Sequence, residues 1–141
     1  MMLKNKVAIV TGGTRGIGFA VVKKFIENGA AVSLWGSRQE TVDQALEQLK
    51  ELYPDAKISG KYPSLKDTAQ VTAMINQVKE EFGAVDILVN NAGISQSTSF
   101  YNYQPEEFQK IVDLNVTAVF NCSQAAAKIM KEQGGGVILN T

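Results

Sequence analysis

The run Val7-Ala8-Ile9-Val10-Thr11-Gly12-Gly13-Thr14-Arg15-Gly16-Ile17-Gly18 decides the reading of this chain. Val7 to Val10 is a short apolar run and reads as a buried strand. The glycines interrupt it, and Ile17, Ala20, Val21 and Phe25 then recur at helical spacing, with Lys23, Lys24 and Glu27 on the wet face. A strand that passes through a glycine turn straight into a helix presents unpaired N–H groups and the positive end of the helix dipole. That is the arrangement that binds a dinucleotide pyrophosphate. Gly12 then lets the chain turn off the strand, Gly16 lets main chain approach the phosphates, and Gly18 lets the helix pack closely on the sheet. The spacing is Gly-x-x-x-Gly-x-Gly, and neither Lys-Ser nor Lys-Thr follows, so this is not the phosphate loop of a nucleoside triphosphatase. A glycine cluster in this place serves equally well as a plain tight turn; the rest of the chain has to decide.

Working outward, Asn28-Gly29 closes the first helix. Ala30 to Trp35 reads as a second strand, Gly36 to Gln39 as a turn, and about Glu40 to Leu52 as a second helix with Val42, Ala45, Leu46 and Leu49 on one face. Tyr53-Pro54-Asp55 breaks that helix. Lys57 to Tyr62 is a weaker third strand, stopped by Pro63. A third helix spans Asp67 to Phe82, ended by Gly83, and a strong fourth strand spans Val85 to Asn90. After a polar loop from Gly93 to Gln104, Pro105 suits the first position of a helix, with Glu106 and Glu107 near its positive end. The helical pattern runs through Asn115 to about Lys131 as one long, bent helix; Gly134 to Gly136 end it, and Val137 to Asn140 begins a fifth strand. Strict alternation of strand and helix, with near-continuous apolar strands, predicts an α/β fold. It is a doubly wound parallel Rossmann sheet with strand order 3-2-1-4-5, and residues 1–141 form one dinucleotide-binding domain.

Composition excludes several functions. Lys plus Arg and Asp plus Glu are both 14, so the formal net charge is zero, which argues against a basic nucleic-acid face. No apolar stretch is long enough to cross a membrane or to form a signal-peptide core, and the expected location is the cytoplasm. The chain has no histidine and one cysteine, Cys122, which rules out histidine metal sites, Ser-His-Asp triads, Cys-His dyads and an internal disulfide. Cys122 reads as a small buried helix residue.

The turn after the second strand bears on the cofactor. NAD binders usually place an acidic side chain there for the ribose hydroxyls. Gly36, Ser37 and Arg38 stand there instead, with no acid before Glu40. The Arg38 fork and the Ser37 hydroxyl suit a phosphate, and Arg15 adds a second basic group, so NADP is favoured over NAD. Either arginine alone reads equally as a solvated surface charge.

Two separated motifs carry a family likeness. Thr11 to Gly18 resembles the cofactor motif of the short-chain dehydrogenases/reductases, and Asn90-Asn91-Ala92-Gly93 after the fourth strand resembles their second signature. Asp86 and the Asp113-Leu114-Asn115-Val116 segment fit the same template, and the likeness is nearest to the 3-oxoacyl-carrier-protein reductase type. The resemblance implies that Gly12, Gly13, Thr14, Arg15, Gly16, Ile17 and Gly18 cradle the cofactor. Asn91 would back its ribose while Asn90 steadies the sheet, and the small Ala92 and Gly93 let main chain lie against the cofactor. Ser64 and Leu65 stand at the family's adenine pocket, where many relatives have an acid in place of Ser64. Asn115 would kink its helix and hold a water in the proton relay.

The family's Ser and its Tyr four residues before a Lys are expected after the fifth strand, so the catalytic portion is absent from residues 1–141 and this chain alone is expected to be inactive. Tyr53 with Lys57 and Tyr62 with Lys66 have the spacing, but a proline follows each tyrosine and biases it away from a helix. The expected function is hydride transfer between a nicotinamide and a small carbonyl or alcohol substrate. A non-catalytic dinucleotide-binding fragment or scaffold of the same fold is the alternative. Phe100, Tyr101 and Tyr103 would either wall a substrate cleft or anchor their loop. Association into a homodimer or homotetramer is expected through Val116, Val119, Phe120, Ala126 and Ala127.

Overall fold

The computed structural model describes all residues from Met1 to Thr141. The strands are β1 (Val7–Thr11), β2 (Ala31–Trp35), β3 (Ile58–Lys61), β4 (Ile87–Asn90) and β5 (Val137–Asn140). The helices are α1 (Gly16–Glu27), α2 (Gln39–Leu52), α3 (Thr68–Phe82), α4 (Pro105–Val112) and α5 (Ala118–Gln133). The five strands form one parallel sheet in the order β3-β2-β1-β4-β5, as the alternation of elements predicts.

Side-chain alternation along the strands builds two cores. Ala8 and Val10 point into the layer shared with Val22, Ile26, Val42 and Leu49 of α1 and α2. Val7, Ile9 and Leu88 point into the layer shared with Val71, Ile75 and Val78 of α3 and Cys122, Ala126 and Ile129 of α5. Two helices thus cover each face, and the central strands are apolar on both sides because both sides are buried. Trp35 also lies in the second layer, 1% exposed, and its indole N–H donates to Ser33 Oγ at 3.0 Å, so its one polar atom is satisfied. No helix is long and apolar enough to cross a membrane.

Local signals set the element ends. Asp67 caps α3 by accepting from the Gln70 N–H at 3.1 Å, and Gly83 closes that helix in the left-handed region at φ 90°. The long bent helix of the sequence is two α-helices joined by a π turn, Asp113–Thr117, with Asn115 at its centre. Such turns insert a residue into the ladder and bend the helix without breaking it. Three strands are shorter than the sequence reading: β2 starts at Ala31, β3 spans only Ile58–Lys61, and β4 starts at Ile87. The loop after β4 contains a short 3-10 turn, Phe100–Asn102. Ala126 does not offer outward surface as the sequence suggested; it is fully buried against α3, whereas Val116, Phe120 and Ala127 are exposed.

Candidate cofactor-binding site

Parallel strands deliver their C-terminal ends to one edge of the sheet, and the turns that follow β1, β2, β3 and β4 meet there around a cavity of about 890 Å³. That size lies within the range of ligand pockets. The cavity sits where the strand order reverses beside β1, the place where open α/β sheets bind ligands.

The glycine turn forms one wall. Gly12 leaves β1 with φ 63°, and Gly16 opens α1 with φ 57°, backbone conformations that residues with a Cβ rarely adopt. Gly18 answers a different need: a Cβ there would overlap the Gly12 carbonyl oxygen and come within 2.6 Å of Asn91 Nδ2. The helix start is therefore packed against the glycine turn itself and, through it, against the loop after β4. Gly13 packs inward, where a Cβ would meet Leu34 Cβ and the Val10 carbonyl at 3.0 Å. Beside Gly16 nothing lies within 4 Å, so its open side is free for a ligand.

Electrostatics follow from the same turn. Arg15 caps α1 with extended backbone and no side-chain hydrogen bond, and the first turn contains no acid. The N–H groups of Gly16, Ile17 and Gly18 make no hydrogen bond within the chain. The Gly16 and Ile17 donors and the helix dipole thus stand unneutralised at the cavity wall, with the Gly18 donor next behind them. The charged side chains lining it are Arg15, Lys66, Lys110 and Asp113, three cations against one anion, which favours an anionic ligand.

The opposite wall is held by residues far apart in sequence. Thr11 Oγ1 accepts the N–H groups of Asn91 and Ala92, each at 3.0 Å, and its own proton is donated to the Val89 carbonyl at 3.4 Å. Asn91 Nδ2 donates to the Gly12 carbonyl at 3.2 Å. Asn90 Nδ2 donates to Ser123 Oγ at 3.0 Å and to Asn140 Oδ1 at 2.9 Å, tying β4 to α5 and β5. Asp86 Oδ2 accepts the Val7 N–H at 2.8 Å and fixes the start of β1 beside β4. The two signature segments are in this way one hydrogen-bonded unit.

Gly12, Thr14, Arg15, Gly16 and Ile17 line the cavity, as do Ser37, Ser64 and Leu65. Asn91, Ala92 and Gly93 complete that set on the β4 side. Gly13 and Gly18 lie behind the lining as packing positions. Arg38 is exposed at the N-cap of α2, next to the lining Ser37 but outside the lining itself. Asn115 also stands behind the wall. Its Oδ1 accepts the Ile94 N–H at 2.9 Å and its Nδ2 donates to the Ile94 carbonyl at 2.8 Å, so both amide atoms pin the loop after β4 to the π turn. Sequence reasoning missed Thr11 as a site residue, although it lies inside the quoted motif, and missed Lys66, Lys110 and Asp113, whose place depends on the fold.

Neither look-alike tyrosine shares a helix with its lysine. Tyr53 is the C-cap of α2 and donates to Glu27 Oε1 at 2.8 Å at the far end of the sheet. That bond raises the Tyr53 pKa and lowers that of Glu27. Tyr62 and Lys66 flank the irregular segment after β3. Burial pushes the Cys122 thiol up to about 12, the opposite of an activated cysteine.

Comparison with known proteins agrees with this geometry. The family model of the short chain dehydrogenases matches residues 6–141. A 3-oxoacyl-acyl-carrier-protein reductase of Chlamydia muridarum is 34% identical over 139 residues, which cover 99% of this chain and 56% of that protein. The corresponding reductase of Staphylococcus aureus is 36% identical over 141 residues, 99% of this chain and 56% of that protein. The crystal structure of a levodione reductase superposes with a TM-score of 0.92 at 32% identity, covering 98% of this chain and 54% of that one. The chain thus spans just over half the length of these relatives. With the glycine cradle, the Asn-Asn-Ala-Gly wall and the match over residues 6–141, the chain belongs to the short-chain dehydrogenase family.

Proposed function

We propose that this protein is an NADP(H)-dependent oxidoreductase acting on a small carbonyl or alcohol substrate, and that residues 1–141 supply its cofactor-binding domain. The observation that carries the proposal is the set of unpaired N–H groups at Gly16, Ile17 and Gly18, beside a cavity lined by three cations and one anion. The site fits a dinucleotide: the open side of Gly16 leaves room for a pyrophosphate that a Cβ would narrow. Gly12, Thr14, Gly16 and Ile17 would hold the pyrophosphate, Asn91 to Gly93 the adjoining ribose, and Ser64 and Leu65 the adenine end.

When bound, the nicotinamide supplies hydride transfer. The chain's own residues bind and orient. Thr11 locks the Asn91–Ala92 main chain to β1, and Asn115 fixes Ile94 at the end of the same wall. Because both amide atoms of Asn115 hold Ile94, a proton-relay role for this residue would run through its main chain. The similarity to a 3-oxoacyl-acyl-carrier-protein reductase and a levodione reductase supports a ketone as the substrate class. Exposed Val116 and Phe120, one helical turn apart, support self-association of this face into a homodimer or homotetramer.

NADP is preferred in this reading because Arg38 follows Ser37 in a turn without an acid before Glu40, and Arg15 lines the same cavity from the glycine turn. Titration of the protein with NADPH and NADH tests it. Arg38→Ala should lose about 1–3 kcal/mol of NADPH affinity and leave NADH nearly unchanged, as a charge-assisted phosphate contact requires. Equal losses for the two cofactors would remove Arg38 from the site.

A further inference from the structure

Asn121 on α5 is a polar side chain only 5% exposed, inside the layer between α5 and α3. Its Nδ2 donates to the Leu65 carbonyl at 3.0 Å, 56 residues away in sequence, and its Oδ1 accepts the Thr68 hydroxyl at 3.3 Å. A buried amide stays in a core when both its ends are satisfied, and here one end is the main chain of a cavity wall.

That wall has no regular structure of its own. Tyr62 to Asp67 lies between β3 and α3, outside any strand or helix, so nothing in a ladder sets its peptide planes. Three hydrogen bonds set them instead. The Ser64 N–H donates to Gln70 Oε1 at 2.9 Å, which fixes the peptide between Pro63 and Ser64. The Ser64 carbonyl accepts the Asp67 N–H at 3.0 Å, which fixes the next plane. The Leu65 carbonyl accepts from Asn121, which fixes the third. Because a trans peptide holds its N–H opposite its C=O, pinning each carbonyl also aims the N–H across the same plane. The Leu65 N–H, aimed in this way, makes no hydrogen bond within the chain. Asp67 and Gln70 hold the wall from the N-cap and first turn of α3, and the Leu65 side chain packs on the same core layer; Asn121 is the side chain that reaches its main chain from α5.

We infer that Asn121 is a positioning residue for the adenine end of the cofactor, holding the Ser64–Leu65 wall in its binding geometry from beneath. The inference rests on the dinucleotide reading of the cavity. Asn121 touches no ligand; it acts by keeping the loop ordered before binding, so that ordering does not oppose affinity. The same unbroken run of helix carries Asn115, which grips Ile94 across the cavity. One helical segment therefore clamps two walls, and each asparagine should govern its own end.

The test uses the purified protein and three probes: NADPH, adenosine 2′,5′-bisphosphate for the adenine end, and nicotinamide mononucleotide for the other. Asn121→Leu removes the donor to Leu65. Asn121→Asp keeps the acceptor for Thr68 but sets a carboxylate against the Leu65 carbonyl, and it carries the comparison if the leucine variant lacks a cooperative unfolding transition. The expected result is at least a tenfold loss for NADPH and for the bisphosphate, with nicotinamide mononucleotide within twofold of the parent. Parallel losses for both fragments would reduce Asn121 to a general structural residue, and unchanged bisphosphate binding would overturn the inference while leaving the dinucleotide reading intact. A parent protein that binds none of the three probes would overturn the dinucleotide reading and this inference with it.

Discussion

Gly16 and Gly18 sit two residues apart in one turn, yet the structure gives them opposite sensitivities. In Gly18→Ala the new methyl overlaps the Gly12 carbonyl oxygen and crowds Asn91 Nδ2 at 2.6 Å. Relief requires α1 to move off the sheet or Asn91 to release its bond to Gly12. Overpacking of this kind costs about 1–3 kcal/mol, and weakening the hydrogen bond adds about 1 kcal/mol. The better helix propensity of alanine returns about 1 kcal/mol, leaving a net destabilisation of about 1–3 kcal/mol. In Gly16→Ala the methyl meets no protein atom within 4 Å, and the cost is the left-handed backbone at φ 57°. That strain is about 1–2 kcal/mol, reduced by about 0.4–1 kcal/mol through the stiffer unfolded chain, a net loss near 1 kcal/mol. The methyl projects instead into the space assigned to the pyrophosphate. Urea unfolding and a fluorescence titration with NADPH, run on both variants, should therefore diverge. Gly18→Ala shows the larger loss of stability. Gly16→Ala shows a small one, together with at least a tenfold loss of affinity. A Gly16→Ala protein that binds NADPH as tightly as the parent would refute the placement of the phosphates.

Thr11→Val keeps the side-chain shape but leaves the Asn91 and Ala92 N–H groups without their acceptor, so urea unfolding should show a loss of about 2–4 kcal/mol; a loss under 0.5 kcal/mol would contradict the double-acceptor role. The Cys122 thiol has its folded pKa raised from 9 to about 12, so its neutral form is favoured in the fold and its contribution is full below pH 9 and lost as pH rises toward 12. The unfolding free energy of the parent relative to Cys122→Ala should accordingly fall by about 1.4 kcal/mol per pH unit above 9, and a difference independent of pH would refute it. Phe120→Glu, a charge placed on an exposed apolar face, should convert an oligomer to monomer in light scattering; a parent protein already monomeric at micromolar concentration would remove that face as an interface.

Much of this site was legible because its signals are local. The apolar runs named the strands, the glycines named the turn at the end of β1, and the absence of an acid between Trp35 and Glu40 could be read off directly. The five-strand order followed from alternation and handedness once the glycine turn after β1 marked a dinucleotide-binding sheet. What stayed hidden depends on contacts between distant residues. Thr11 meets Asn91 across 80 positions and Asn121 meets Leu65 across 56, and no periodicity marks either pair. The π turn at Asp113–Thr117 leaves no mark in composition, so the residues give one helical run and only the family likeness points to a kink at Asn115. Ala126 is not placed by the sequence because alanine carries little signal about which side of a helix is buried, and only the packing of α5 on α3 decides it.

In the proposed binding mode a dinucleotide lies across the turns after β1, β3 and β4, with its pyrophosphate on the first turn of α1. Amide chemical shifts recorded by NMR during NADPH addition test it most directly. The expected result is saturable shifts of the Gly16, Ile17 and Gly18 amides together with those of Leu65 and Asn91 to Ile94, while amides around Tyr53 and Ala56 at the opposite end of the sheet stay fixed. Shifts confined to that opposite end, or no saturable change at Gly16 to Gly18, would contradict it.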